Sequence, residues 1–331
     1  IMSTYTALRI HLNDDKSTRA SFDTLPIPTP KTGEVLIKVA YSSINFKDAL
    51  AVTGKGKIMR SFPLTAGIDL SGTVTHSEDG RFKPGDAVLV TGCNIGEQLD
   101  GGLAQYACLP ADIVVPLPTG LTLKQAMQLG TAGFTAALAV KRMEDNHQTP
   151  AHGAIAVTGA TGGVGSFAIN MLAHIGYNVA AITGKAAQDS AYLTQLGANQ
   201  ILDRHTLDVG KRPLETATWG GAVDNVGGPL LTYLTRTVKP WGNIASIGLA
   251  ASHELNTTVM PFILRGVSLL GIHSVECPMP WRLDLWQKMA STWKPTALDA
   301  VAHTEITLAD VPTWCSRVMA GEVTGRAVVA L

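Results

Sequence analysis

"VTGATGGVGS", residues 157–166, decides how this chain folds. It sets Ala160, Gly162 and Gly165 in an A-x-G-x-x-G pattern. Before it, "AIAVT" (154–158) is a continuous apolar run of the kind that buried parallel strands show. After it, Val164, Ala168, Met171, Leu172 and Ile175 recur at helical spacing, and Gly176 stands where a helix stop belongs. Strand, glycine turn and helix together turn a weak pattern into a dinucleotide-binding expectation. Gly162 lets backbone approach a pyrophosphate, and Gly165 lets the helix pack close on the strand. Free N–H groups and the dipole at the helix start favour the anion.

Working outward, "NVAAIT" (178–183) reads as the next strand and 186–196 as the next helix, stopped by Gly197. "QIL" (200–202), "GAVDNV" (221–226), "GNIASIG" (242–248) and "VSLLGIHS" (267–274) continue the strand series. Strands alternating with helices imply an α/β, doubly wound parallel sheet. Upstream the pattern is mostly β. "GEVLIKVAYSSIN" (33–45) alternates, with Val35, Ile37 and Val39 on one face. "SGTVTHS" (71–77), "GDAVLVTG" (85–92) and "LAQYACLP" (103–110) follow between turn signals and suggest a small barrel. "LKQAMQLGTAGFTAALAVKRM" (123–143) reads as helical, broken near Gly130 and Gly133. The tail "GRAVVAL" (325–331) is a lone strand returning to the first domain. The expected division is 1–125 plus 300–331 for the β domain and 126–299 for the nucleotide-binding domain.

A chain of 331 residues suits about two domains. Lys+Arg and Asp+Glu balance at 26 each, so no overall cationic field recruits nucleic acid or an anionic membrane. Any charged ligand must be met by a local cluster. Cys93, Cys108, Cys277 and Cys315 form no CxxC pair or zinc-finger spacing, which fits free thiols in a reducing compartment. No apolar run approaches the ~18 residues of a membrane span, and no signal-peptide core opens the chain. The expectation is a cytoplasmic protein.

The second strand of such a fold usually ends in a carboxylate that holds a ribose hydroxyl. Here it ends in Thr183, Gly184 and Lys185, with Arg204 just past the third strand. A hydroxyl, open backbone space and two cations suit a 2′-phosphate, so NADPH is the expected cofactor. Metal chemistry is not expected. "AGIDLSG" (66–72) and "SSINFKDA" (42–49) hold no histidine or cysteine, and the nine histidines include no i, i+4 pair. Conjugate hydride addition to an activated alkene needs no Lewis acid, because hydrogen-bond donors can stabilise the enolate.

"NFKDALAVTGKGKIMRSFPLTAGIDLSGTV" (45–74), "GTAGFTA" (130–136), "TTVMPFILRGVSLLGIHSV" (257–275) and the "GR" of 325–326 resemble the medium-chain dehydrogenase/reductase superfamily. The likeness is to its zinc-independent quinone-oxidoreductase group and, within that, to the NADPH-dependent acryloyl-CoA reductases of the YhdH/AcuI type. It covers nearly the whole chain. The resemblance implies a GroES-like barrel domain beside the Rossmann domain. It implies that Phe46, Thr161, Gly162, Gly163, Val164, Thr183, Gly184, Lys185, Arg204, Leu249, Ile263 and Ser274 hold the cofactor. Phe46 stands where the family often has tyrosine, and Lys185 where it has arginine. A homodimer built along the late strand "VSLLGIHS" is implied in the same way.

On the substrate side, "TGKGKIMR" (53–60) gathers Lys55, Lys57 and Arg60, a cluster able to grip coenzyme A phosphates. Asn45, Lys47 and Asp48 are the catalytic candidates, for orienting a thioester or supplying a proton. Asp69 reads instead as a structural pin for its turn. The reading is an NADPH-dependent reductase of a short 2-enoyl-CoA, acryloyl-CoA giving propionyl-CoA. Its rivals are an NADPH:quinone oxidoreductase and a non-catalytic NADPH-binding protein. The balanced charge argues against an RNA-bound form of the last.

Overall fold

The structure is a computed structural model, and it describes residues 2–331. The chain opens with β1 (Thr4–Leu12), β2 (Thr18–Pro26) and β3 (Glu34–Ser43), then α1 (Phe46–Thr53). β4 (Leu64–Thr65), β5 (Asp69–Ser77), β6 (Ala87–Thr91), β7 (Tyr106–Pro110) and β8 (Val115–Pro116) complete the first β region. α2 (Leu123–Asp145) leads to β9 (Ile155–Thr158), α3 (Gly163–His174), β10 (Val179–Thr183), α4 (Ala186–Leu196) and β11 (Gln200–Asp203). Then come β12 (Gly221–Asp224), α5 (Gly228–Thr237), β13 (Asn243–Ser246), α6 (Met260–Arg265) and β14 (Ser268–Gly271). α7 (Met279–Met289), α8 (Leu298–Val301), β15 (Thr304–Thr307), α9 (Val311–Met319) and β16 (Ala327–Ala330) close the chain.

Two compact units result. The first holds 2–131, 275–290 and 302–331, and the second holds 132–274 and 291–301. These limits differ from the expected ones chiefly in 275–290, which groups with the β unit. A polar contact accounts for it: Arg282 of α7 is buried and donates to the Thr91 carbonyl at 2.7 Å, at the end of β6.

In the first unit one sheet runs β15-β16-β3-β5-β6-β8, with β7 also paired to β3, and a second runs β2-β1-β4. The tail strand β16 lies antiparallel to β3, with Val329 opposite Ser42, so the return to this unit is as expected. Val35, Ile37 and Val39 are buried together with Leu70, Val74, Val88 and Val90, which explains the alternation read in β3. The β1–β2 hairpin falls in the region read as mostly β, though neither of its strands was picked out singly.

The second unit is a six-stranded parallel sheet in the order β11-β10-β9-β12-β13-β14. That is the doubly wound order 3-2-1-4-5-6, and the crossover direction reverses between β9 and β12. Ile155, Val157, Val179, Ala181, Ala222 and Val223 are fully buried, as strands covered on both faces require. One crossover departs from the expected alternation: residues 204–220, between β11 and β12, form no helix. Among the described residues no helix is long and apolar enough to cross a membrane.

Candidate functional site

In the second unit the glycine turn follows β9. Gly159 takes φ +58°, so the tight left-handed position lies one residue before the expected slot, which Ala160 fills with no exposure. A Cβ on Gly165 would meet the Gly159 carbonyl at 2.3 Å, so α3 packs on the turn only because that residue is glycine. A Cβ on Gly162 would meet nothing closer than 3.5 Å, which leaves the backbone before α3 open to a ligand. Thr161, Gly162, Gly163 and Val164 thus form a helix start with room for an anion.

β10 ends in buried Thr183, whose hydroxyl oxygen accepts the Lys185 N–H at 3.0 Å. The Arg204 N–H donates to the Thr183 carbonyl at 3.0 Å. A Cβ on Gly184 would stand 2.6 Å from Arg204 Nε, so the guanidinium lies over this bare backbone. Thr183, Gly184, Lys185 and Arg204 are therefore brought together. The residue in register with Thr183 is Asp203 on β11, whose Oδ1 accepts the His205 N–H at 2.8 Å. Leu249 and Ile263 are both exposed, after β13 and on α6, and Ser274 follows β14.

In the first unit a break in α2 organises a buried polar knot. Gly130 sits inside α2 with φ 53° and ψ −155°, while Gly133 continues the helix. A break leaves carbonyls unpaired on one side and N–H groups on the other. Arg326, 3 % exposed, meets the carbonyls: Nε donates to Gln128 at 3.0 Å and Nη2 to Met127 at 3.3 Å. Asp69, fully buried, meets the other side, accepting from the Thr131 N–H at 3.0 Å and its hydroxyl at 2.5 Å. The guanidinium and carboxylate face each other at 3.7 Å.

Asn45 lies in this knot. Its Nδ2 donates to Asp69 at 2.8 Å and to Asp48 at 2.9 Å, and its Oδ1 accepts from Arg326 Nη1 at 2.9 Å. Asp48 returns the bond by accepting the Asn45 N–H at 2.8 Å, an N-x-x-D cap at the start of α1. Its other oxygen accepts the Ile68 N–H at 2.9 Å. Asp69 was expected to pin its own turn and instead bonds Thr131, Ser43 and Asn45, while Arg326 had no assigned role and was visible only as the "GR" string. Phe46 is 53 % exposed at the first helical position. Lys47 reaches Glu97 at 3.3 Å. Lys57 and Arg60 line a cavity of about 430 Å³ with Ile58, Met59, Phe62 and Glu97, and Lys55 is exposed on the same loop.

Burial, and then the charge of Asp69, push the Asp48 carboxyl up to about 6. In the unfolded chain it titrates near 3.9. Between these values the native state keeps a proton that the unfolded state has lost. This group's stabilisation is therefore complete below about pH 4 and declines as pH rises through about 6, by on the order of 3 kcal/mol. Urea unfolding across that window is expected to show wild type losing this increment relative to Asp48→Asn. Parallel pH profiles for the two proteins would refute it.

The chain matches the family described as "Alcohol dehydrogenase GroES-like domain" over residues 31–119 and "Zinc-binding dehydrogenase" over 163–291. It belongs to the medium-chain dehydrogenase/reductase superfamily, with a GroES-like and a Rossmann domain. Within that superfamily it belongs with the YhdH, AcuI and YhfP proteins. It is 48% identical over 91% of both chains to YhfP of Bacillus subtilis, named as a quinone oxidoreductase. It is 46% identical over 94% of both chains to the acrylyl-CoA reductase AcuI of Ruegeria pomeroyi. The structure of Salmonella enterica YhdH in complex with NADP superposes with TM-score 0.93 at 44% identity, over 98% of this chain and 99% of that one.

The second family description names zinc. Among the described residues no group of three or more His, Cys, Asp or Glu side chains could hold a metal ion. The buried carboxylates Asp48 and Asp69 are engaged by N–H and O–H donors on both of their oxygens. This donor set does not fit a zinc ion.

Proposed function

We propose that this chain is an NADPH-dependent reductase of the C=C bond of a short 2-enoyl-CoA, converting acryloyl-CoA to propionyl-CoA. The observation that carries this reading is the end of β10. There Lys185 and Arg204 flank Thr183 and Gly184, and Asp203, in register with Thr183, accepts the His205 N–H in its own turn. Two cations suit the extra phosphate of NADPH. The 46% identity to an acrylyl-CoA reductase supports the substrate class.

When bound, NADPH would supply the hydride for the β-carbon of the alkene, and the α-carbon would take a proton. Meanwhile negative charge rests on the thioester oxygen, where a nearby cation lowers the barrier. Lys47, half-buried and steadied by Glu97, is the residue we assign to that oxygen or to delivery of the proton. Asn45 and Asp48 hold the start of α1, from which Phe46 and Lys47 project. Lys55, Lys57 and Arg60 are assigned to the coenzyme A phosphates. The homodimer is proposed to form along β14, the last strand of its sheet, where Leu269 is exposed, as are Ile263 and Leu264 on the preceding α6. Four free cysteines accord with a reducing, cytoplasmic setting.

The second reading is a quinone oxidoreductase, favoured by the name of YhfP at 48% identity. Side-by-side kinetics separate the two. Acryloyl-CoA is expected to give a kcat/KM with NADPH at least about 100-fold above that of 1,2-naphthoquinone, a difference of ~2.7 kcal/mol in transition-state binding. Equal or better turnover of the quinone transfers the assignment to the second reading.

A further inference from the structure

Apart from the residues assigned to the nucleotide, the second unit holds a cavity of about 270 Å³. One wall is a single face of α5, where Gly228, Thr232 and Arg236 stand four positions apart. The facing wall is the stretch after β13, where Ser252, Glu254 and Asn256 stand two positions apart. Leu255, between them, packs instead on the core that includes Leu231 and Leu234. Val209 and Pro229 supply the apolar part of the lining.

Both walls are fixed before any ligand arrives, so little ordering entropy remains to oppose binding. The Gly228 N–H donates to the Glu254 carbonyl at 2.9 Å, and the Ser252 N–H to the Val226 carbonyl at 3.2 Å. A Cβ on Gly228 would stand 2.9 Å from Ser252 Cβ, so glycine permits this close approach. Further along, the hydroxyls of Thr235 and Thr257 share a hydrogen bond at 2.9 Å. Arg236 Nη1 donates to the Val209 and Gly210 carbonyls at 3.1 and 3.0 Å, which ties the crossover 204–220 to the same frame.

The polar ends within this frame are idle. Thr232 is 6 % exposed, yet its hydroxyl bonds nothing among the described residues. Nε and Nη2 of Arg236, the Glu254 carboxylate and the Asn256 amide also have no partner among them. Arg236 and Glu254 bring opposite charges to one cavity, and no ion pair joins them. Opposite charges that share a space without meeting are complementary to a ligand bearing both signs. Glu254 would repel a simple anion, and Arg236 a simple cation.

We propose that this cavity binds a small zwitterion, a free α-amino acid with a short branched apolar side chain. Its carboxylate meets Arg236 and the Thr232 hydroxyl. Its ammonium meets Glu254 and the amide oxygen of Asn256, and its side chain lies against Val209 and Pro229. No residue assigned to NADPH or to coenzyme A lines this space, so the ligand is additional to both.

The test is calorimetric titration of the full chain with L-valine, with and without saturating NADPH. L-valine is expected to bind with a Kd on the order of 0.1 mM in both cases. Isovalerate lacks the ammonium and isobutylamine lacks the carboxylate; each should bind at least about tenfold more weakly. Glu254→Gln keeps the backbone bond to Gly228 and should raise the Kd for L-valine about tenfold. Thr232→Val preserves the shape of the wall and should raise it about fivefold. Glu254 is exposed, so its replacement tests the site without disturbing the packing of α5. Absence of binding up to about 10 mM, equal affinity for the three compounds, or an unchanged Kd in both variants overturns the proposal. Binding of L-valine that saturating NADPH abolishes overturns it too, because the cavity would then belong to the nucleotide site.

Discussion

Replacing Gly130 by alanine is expected to destabilise the first unit by about 4 kcal/mol, within the range for breaking a buried ion pair. The added Cβ would stand 2.5 Å from Arg326 Nη2, 2.6 Å from Asp69 Oδ2 and 3.0 Å from Ser43 Oγ. The backbone there, φ 53° and ψ −155°, is a conformation that only glycine adopts readily. To make room, the guanidinium must leave the carboxylate. That exposes the Met127 and Gln128 carbonyls on one side and the Thr131 N–H on the other to burial without partners. The measurement is thermal unfolding, with an expected fall of roughly 10 °C. Arg326→Met is the companion variant, because it removes the cation and leaves the glycine alone. It should cost a similar amount, since it strands Asp69 in a dry setting. A shift below about 2 °C for both would mean that the knot does not organise this unit.

Which parts of this molecule could be read from sequence follows from how local their signals are. The buried strands of the second unit advertise themselves as apolar runs, and their helices stop at Gly176 and Gly197, both with positive φ. The absence of an acid at Thr183–Lys185 is likewise a local observation. The knot was not. Asn45 and Arg326 are 281 positions apart, so neither residue betrays its partner. The N-x-x-D cap of Asn45 and Asp48 is a local signature that does appear in the sequence, and it points to the start of α1. No helix was assigned to the crossover at 204–220, and the structure has none there, because strand–helix alternation is a rule about sheets that leaves each connection to its own residues. There Gly210 and Pro213 interrupt the helical spacing.

Lys185→Asp is expected to raise the Kd for NADPH by about 200-fold and to change the Kd for NADH less than threefold. Loss of a charge-assisted hydrogen bond accounts for about 1.5–3 kcal/mol, and repulsion between the new carboxylate and a phosphate adds to it. The substitution should leave the fold intact, because Lys185 is the N-cap of α4 and aspartate is a favoured capping residue. The effect can then be assigned to the ligand. Arg204 remains over Gly184 in the variant, so binding is weakened and not abolished. Added salt should narrow the gap between the two proteins, as expected for a site exposed enough to be screened. Fluorescence titration of both nucleotides against both proteins gives the ratio directly. YhfP of Bacillus subtilis, 43% identical in its solved structure, was crystallised with NAD, so the wild-type preference is itself informative. A wild type that binds NADH as tightly as NADPH, or a variant whose preference is unchanged, would mean that the cations at the end of β10 meet solvent and not a phosphate.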